Sequence, residues 1–244
     1  MRLDGKKALV TGASLGIGRA IALAFAQEGA DVAVTARHGH ALQAVAEEVR
    51  SRGGRAHVME WDVSDVSRAE RRVAEAREAL GGLDAVVNNA GVLRRDGSRF
   101  PDLTPEEWDY VMGVNLRGLY FVCQAADKLM QEAGGGVIIN VASDAGLRGE
   151  VHPYGLSKWG VVGLTKGLGK ACAGHGVRVN AVAPGPVATR MMGWEAGDPL
   201  ERKGLPLGRL TRPEEVADVA VFLASDEANA LHGEIVVVNS GTAL

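Results

Sequence analysis

Three residues whose types could do chemistry together stand in the middle of this 244-residue sequence: Ser143, and then Tyr154 and Lys158 in Tyr154-Gly155-Leu156-Ser157-Lys158. Tyr154 and Lys158 are four apart, so on a helix they share a face one turn apart. A free phenol titrates near pH ~10. A neighbouring ammonium favours its phenolate, typically by about 1–3 units for a close pair. Tyr154 would then give and take a proton near neutrality, as acid–base chemistry on an alcohol or ketone requires. Ser143 follows the apolar run Gly136-Val137-Ile138-Ile139-Asn140-Val141-Ala142, which reads as a buried strand. Its hydroxyl is expected at that strand's carboxyl end, where ligands bind in open α/β sheets. An exposed helical pair also reads Tyr-x-x-x-Lys, so the weight rests on the elements that position these side chains.

The chain opens with one such element. Residues 8–10 form a short apolar strand, and Thr11-Gly12-Ala13-Ser14-Leu15-Gly16-Ile17-Gly18 follows at once. From Ile17 the apolar spacing turns helical through Ile21, Ala24 and Phe25. Strand, glycine turn and helix are what a phosphate-binding turn needs. Gly12 permits the tight turn, Gly16 a close approach of backbone to a pyrophosphate, and Gly18 close helix packing, with the helix N-terminus facing the anion.

Residues 31–35 read as the second strand. An acidic residue about 20 positions beyond the glycines usually binds the ribose 2′-hydroxyl of NAD. Here that place holds Ala36, followed by Arg37. With no carboxylate present and a guanidinium placed to pair with a 2′-phosphate, the expectation is NADP(H), with NAD(H) possible. His38 and His40 read as exposed residues at a helix start. Helices over 41–51 and 66–80 alternate with strands over 56–61 and 84–87, the first ending in Asp62-Val63 and the second in Asn88-Asn89-Ala90-Gly91. Such alternation argues α/β, a Rossmann-type doubly wound parallel sheet with helices on both faces, in a single domain over 1–244.

Composition closes off other classes. A net charge of −3 offers no electrostatic footprint for nucleic acid or an anionic membrane surface. Apolar residues at 46% and charged ones at 23% are ordinary for a globular protein. Cys123 and Cys172 can form no disulfide framework and suit no metal site by spacing. No secretory segment or long apolar run is present, so a cytoplasmic location is expected.

In order, Thr-Gly-x-x-x-Gly-x-Gly, Asn88-Asn89-Ala90-Gly91, Asn115, Ser143, Tyr154-x-x-x-Lys158 and Pro184-Gly185 resemble the short-chain dehydrogenases/reductases, over essentially the whole chain. The resemblance implies that Tyr154 is the general acid/base and that Lys158 lowers its pKa and holds the nicotinamide ribose. It implies that Ser143 binds the substrate oxygen and that Asn115 supports a water linked to Lys158. Asp62 and Val63 would meet the adenine; Asn89, Ala90 and Gly91 the ribose; and Pro184, Gly185, Val187 and Thr189 the nicotinamide side. With Gly12, Ser14, Leu15, Gly16, Ile17, Gly18 and Arg37 these make up the expected cofactor site. Asn115 also has a plainer reading, satisfying buried backbone in a helix kink.

Departures from the family pattern accompany the matches. The Ser143-to-Tyr154 connection is short, at eleven residues. Asp144 beside Ser143 is placed to touch substrate, but reads first as a solvated loop carboxylate. Val238-Asn239-Ser240-Gly241 stands where Val-Asp-Gly-Gly is usual.

Beyond Tyr154 a helix is expected to about Gly174, with glycines at 160, 163, 167 and 169 whose cost close packing must offset. In this family such a helix resembles one that pairs between subunits, which implies a homo-oligomer, a tetramer. The irregular stretch 190–211 resembles the family's substrate lid, with Met191, Met192 and Trp194 suiting either an apolar substrate or lid packing.

The leading expectation is thus an NADP(H)-dependent oxidoreductase acting on a small-molecule ketone or secondary alcohol. The pattern is also similar to 3-oxoacyl-thioester reductases, although the basic residues those present to an acidic carrier would fall near Gly134 and His175. An NAD-dependent sugar or polyol dehydrogenase would need a polar pocket. A nucleotide-binding sensor would be expected to have lost Tyr154 or Lys158.

Overall fold

The computed structural model describes residues 1–94 and 98–242. Seven strands lie in one parallel sheet: β1 (Lys7–Thr11), β2 (Asp31–Ala36), β3 (Ala56–Glu60), β4 (Ala85–Asn88), β5 (Gly136–Val141), β6 (Val177–Pro184) and β7 (Ile235–Val238), in the spatial order β3-β2-β1-β4-β5-β6-β7. The chain runs outward from β1 to β3, then returns to β4 on the other side of β1. That reversal opens a crevice between the carboxyl ends of β1 and β4, where doubly wound sheets take their ligands.

Strands buried on both faces must be apolar at successive positions, and the two cores show this. Val10, Val34, Val87 and Ile139 face α1 (Gly16–Gln27), α2 (Gly39–Ser51) and α7 (Pro213–Ala224). Leu9, Ala33, Val86 and Ile138 face α3 (Ala69–Leu80), α5 (Leu119–Ala133) and α6 (Pro153–Cys172). The doubly wound parallel sheet expected from the alternation is therefore the observed fold.

The differences are local. Residues 66–68 form a 3-10 turn before α3, and β2 and β6 each run further than their apolar runs suggest, to Ala36 and Pro184. The sequence reading placed neither α4 (Pro105–Met112) nor α5. Between them Gly113–Gly118 forms a π-helical turn, so the kink suggested at Asn115 is real. Cys123 and Cys172 are buried and unpaired.

Candidate active site

The crevice begins at a turn made of backbone. Gly12 has φ +65°, and a Cβ there would lie 2.7 Å from Ala90 Cα. A Cβ on Gly18 would overlap Asn89 Nδ2 and the Gly12 carbonyl oxygen. The glycines thus let β1, α1 and the end of β4 converge more closely than any side chain would permit. Thr11 ties the junction, its hydroxyl accepting from the N–H groups of Asn89 (3.0 Å) and Ala90 (3.1 Å). Asn89 Nδ2 donates to the carbonyls of Thr11 and Gly12.

A groove of about 400 Å³ runs over this turn. Gly12, Ser14, Leu15, Gly16 and Ile17 line it from β1 and α1, and Arg37, Asp62 and Val63 from the ends of β2 and β3. Asn89, Ala90, Gly91 and Thr189 complete it. Gly18 packs beneath. Arg37 is exposed, its Nη1 donating to the Tyr110 hydroxyl at 3.3 Å. Asp62 accepts at Oδ1 from both the N–H and the hydroxyl of Ser64. His38 and His40 are exposed at the start of α2, as expected, but His38 also lines the groove, with Trp61.

The groove leads into a smaller cavity of about 100 Å³ whose wall holds Tyr154 and Lys158, together with Pro184, Gly185 and Val187. Met191 lines both spaces and Met192 the smaller one. Trp194 lines neither; its Nε1 donates to the Asp198 carbonyl. Among the described residues no cluster of side chains could hold a metal ion.

A buried polar chain fixes α6 over the sheet. Asn88 Nδ2 donates to Asn140 Oδ1 (3.0 Å), and Asn140 Nδ2 to the Thr165 hydroxyl (3.0 Å). Asn115 exchanges hydrogen bonds with both backbone groups of Val92, at 2.8 and 2.9 Å, and donates to Ser157 Oγ at 3.1 Å. Ser157 in turn donates to the Tyr154 carbonyl. The Asn115 side chain does satisfy backbone, but that of Val92 in the loop after β4 rather than that of the kink it sits in. Ser157, which the sequence reading passed over, is its link to α6.

Lys158 is 4% exposed, and among the described residues no carboxylate pairs with it. Its Nζ donates to the Val141 carbonyl at 2.7 Å and lies 5.9 Å from the centroid of the Tyr154 ring. An ammonium has three protons to donate, so two remain for a ligand. Burial alone pulls its pKa down to about 8. The Tyr154 phenol moves the other way. Burial pushes it above its ordinary value, the hydrogen bond with Ser143 partly offsets this, and the Asp144 charge adds to the rise. The phenol's pKa, expected to be lowered by Lys158, is instead raised, because burial outweighs the hydrogen bond with Ser143. Desolvation disfavours the charged form of both partners.

Asp144 also needs correction. It is no solvated loop carboxylate but 5% exposed, next to the reacting groups. Thr242 donates to its Oδ2 at 3.1 Å, and Arg148 Nη2 lies 3.5 Å from Oδ1. Ser143 is buried too, its Oγ accepting from the Ala145 N–H as the cap of the 3-10 turn Asp144–Leu147. The Asn239-Ser240 departure has a conformational trace: Ser240 takes φ +55°, where glycine is at ease.

A glycine-lined crevice at the switch point of a parallel sheet, opening onto a half-buried tyrosine and a buried lysine, is the plan of a dinucleotide-dependent oxidoreductase. The family model described as "Enoyl-(Acyl carrier protein) reductase" matches residues 12–243. The chain belongs to the short-chain dehydrogenase/reductase family, whose members act on CH–OH or C=O groups with nicotinamide cofactors. It is 40% identical to D-threitol dehydrogenase of Mycolicibacterium smegmatis, over 98% of this chain and 94% of that one. It is 38% identical to 3-oxoacyl-[acyl-carrier-protein] reductase of Thermotoga maritima, over 99% of each. The crystal structure of a short-chain type dehydrogenase/reductase from Mycobacterium marinum superposes with a TM-score of 0.90 at 38% identity, over 98% of this chain and 96% of that one. Among the described residues no helix is long and apolar enough to cross a membrane.

Proposed function

We propose that the protein interconverts a small ketone and its secondary alcohol, with Tyr154 as general acid/base and NADP(H) as the preferred cofactor. The observation that carries this reading is that the glycine-turn groove adjoins the cavity walled by Tyr154 and Lys158, with Ser143 hydrogen-bonded to the phenol.

The residues present fit a dinucleotide. The glycine turn leaves backbone open to a pyrophosphate, α1 directs its N-terminus there, and the groove continues unbroken to Tyr154. Ser14, Leu15, Gly16 and Ile17 would hold the pyrophosphate, Asp62 and Val63 the adenine, and Asn89, Ala90 and Gly91 a ribose. Pro184, Gly185, Val187 and Thr189 would hold the nicotinamide, which when bound supplies or accepts the hydride.

The chain's own groups do the rest. In the reductive direction Tyr154 delivers its hydroxyl proton to the carbonyl oxygen, and in oxidation it takes the proton back. Ser143 donates a hydrogen bond to the same oxygen as charge develops there. Lys158 spends its two remaining donors on ribose hydroxyls. Asn115 holds α6 in register through Ser157. Residues 190–211 close over the substrate, with Met191 and Met192 against the nicotinamide.

The enzyme is a single 1–244 domain that acts in the cytoplasm, where the free Cys123 and Cys172 suit a reducing compartment. It assembles as a homotetramer through α6. Gly155, Gly160 and Gly169 of that helix pack against their own chain, whereas a Cβ on Gly163 or Gly167 would meet nothing, and Trp159 on the same helix is 66% exposed.

The cofactor reading rests on Arg37 after Ala36, with no carboxylate at the end of β2. Titrating NADPH and NADH side by side, then repeating with Arg37→Ala, tests it. The expected result is tighter binding of NADPH by about tenfold or more, lost in the variant. Equal binding, or a preference for NADH, would overturn it.

A further inference from the structure

A second cavity, of about 250 Å³, adjoins Tyr154 on the side of α4 and the turn into α6. Its wall carries Glu107, Glu150 and His152 alongside Leu93, Leu103 and Tyr154. Glu107, in the first turn of α4, is 1% exposed.

The placing of Glu150 is the informative feature. It stands three residues before the start of α6, and its side chain lies across Gly155, where a Cβ would overlap it. Glycine in a helix costs roughly 1 kcal/mol against alanine. Here its absent side chain leaves room for the Glu150 stem, which brings Glu150 into the wall of the same cavity as Tyr154. The exposed Arg148 pairs with that carboxylate, its Nε 3.8 Å away. A hydrocarbon chain in this cavity would strip water from Glu150 and return no hydrogen bond, which is unfavourable. A hydroxyl group would supply the donor. The lining carries both signs, with Glu107 and Glu150 set against the exposed Arg94 and Arg99. The volume lies below the roughly 300–1,000 Å³ of drug-sized sites, which suits a short chain.

We propose that this cavity is the substrate subsite for a short, uncharged polyol or its hydroxyketone. Glu150 is the specificity-determining residue, accepting a hydrogen bond from the hydroxyl next to the reacting carbon. The inference rests on Tyr154 acting as acid/base. Oxidation removes the carbinol C–H as hydride to NAD(P)⁺ and passes the hydroxyl proton to Tyr154, leaving the carbonyl; the neighbouring hydroxyl stays intact.

The test compares kcat/KM for threitol and erythritol with that for butan-2-ol, and with reduction of a 3-oxobutanoyl thioester. Wild type, Glu150→Leu and Glu150→Gln are each measured. Wild type is expected to favour a tetritol over butan-2-ol by at least about tenfold. That ratio should fall about ten- to hundredfold in Glu150→Leu, the range for a lost hydrogen bond to a charged group, and be largely kept in Glu150→Gln. Preference for butan-2-ol or the thioester in wild type, or an unchanged ratio in Glu150→Leu, would overturn the proposal while leaving the acid–base reading standing. No turnover of any alcohol or carbonyl would overturn both.

Discussion

The two ends of the crevice are built by opposite means. At the glycine turn the shape comes from side chains that are missing, and backbone packs against backbone with Thr11 and Asn89 closing the seam. At the other end the shape comes from polar side chains carried out of water, and burial displaces their proton affinities, the Tyr154 phenol upward and the Lys158 ammonium downward. Close packing adds to the stability of the first end, whereas desolvation subtracts from that of the second. A binding groove can be rigid and stable at once; a site for proton transfer holds groups that would fold more comfortably elsewhere.

The sharpest way to break the comparison is to fill the turn. Gly18→Ala puts a methyl group into Asn89 and the Gly12 carbonyl. Overpacking of this kind costs about 1–3 kcal/mol and sometimes more, so cofactor binding should be lost and the thermal midpoint should drop by several degrees. A variant that binds and melts like wild type would show that the turn is softer than its geometry.

Lys158→Met works in the other direction. The unfolded chain holds this proton up to about pH 10.5, the folded chain only to about 8. Folding therefore releases a proton between those values, and stability rises with pH across that window. Below pH 8 the full penalty applies, a displacement worth about 3 kcal/mol before the lost bond to Val141 is set against it. The variant should melt a few degrees higher than wild type at pH 7, converge with it only above about pH 10.5, and lose turnover. A lower midpoint at pH 7 would contradict the desolvation account.

Asp144→Asn is the subtlest change. The Asp144 charge raises the Tyr154 pKa, so removing it should move the rise of kcat/KM for alcohol oxidation to lower pH. A profile that stays put, or moves to higher pH, would show that the carboxylate does not act on the phenol.

The same contrast explains what the sequence made legible. Glycines forced by close backbone contact leave a spacing anyone can count, so Gly12, Gly16 and Gly18 announced the turn, and apolar runs between helices announced the sheet. Asp144 was misread because a carboxylate after a strand normally faces water; its burial depends on Thr242, ninety-eight positions away. The shift of Tyr154 was misread for a related reason: helical spacing tells that Lys158 is near, but not how far burial withdraws each group from water. The π-helical turn around Asn115 leaves no apolar period to read, and α4 and α5 were passed over with it. Ser157 and Glu150 carry no motif at all. They matter because Asn115 and Gly155 lie against them, which only the folded chain shows.

The central claim is that binding and proton transfer belong to separate ends of one crevice, and Tyr154→Phe tests it most directly. The variant keeps the ring and removes one hydroxyl. The account predicts a nicotinamide-cofactor dissociation constant within about threefold of wild type and turnover lower by at least about 10²- to 10⁴-fold, the usual worth of a positioned acid/base. Turnover close to wild type would contradict the role of the phenol, and loss of cofactor binding would contradict the separation.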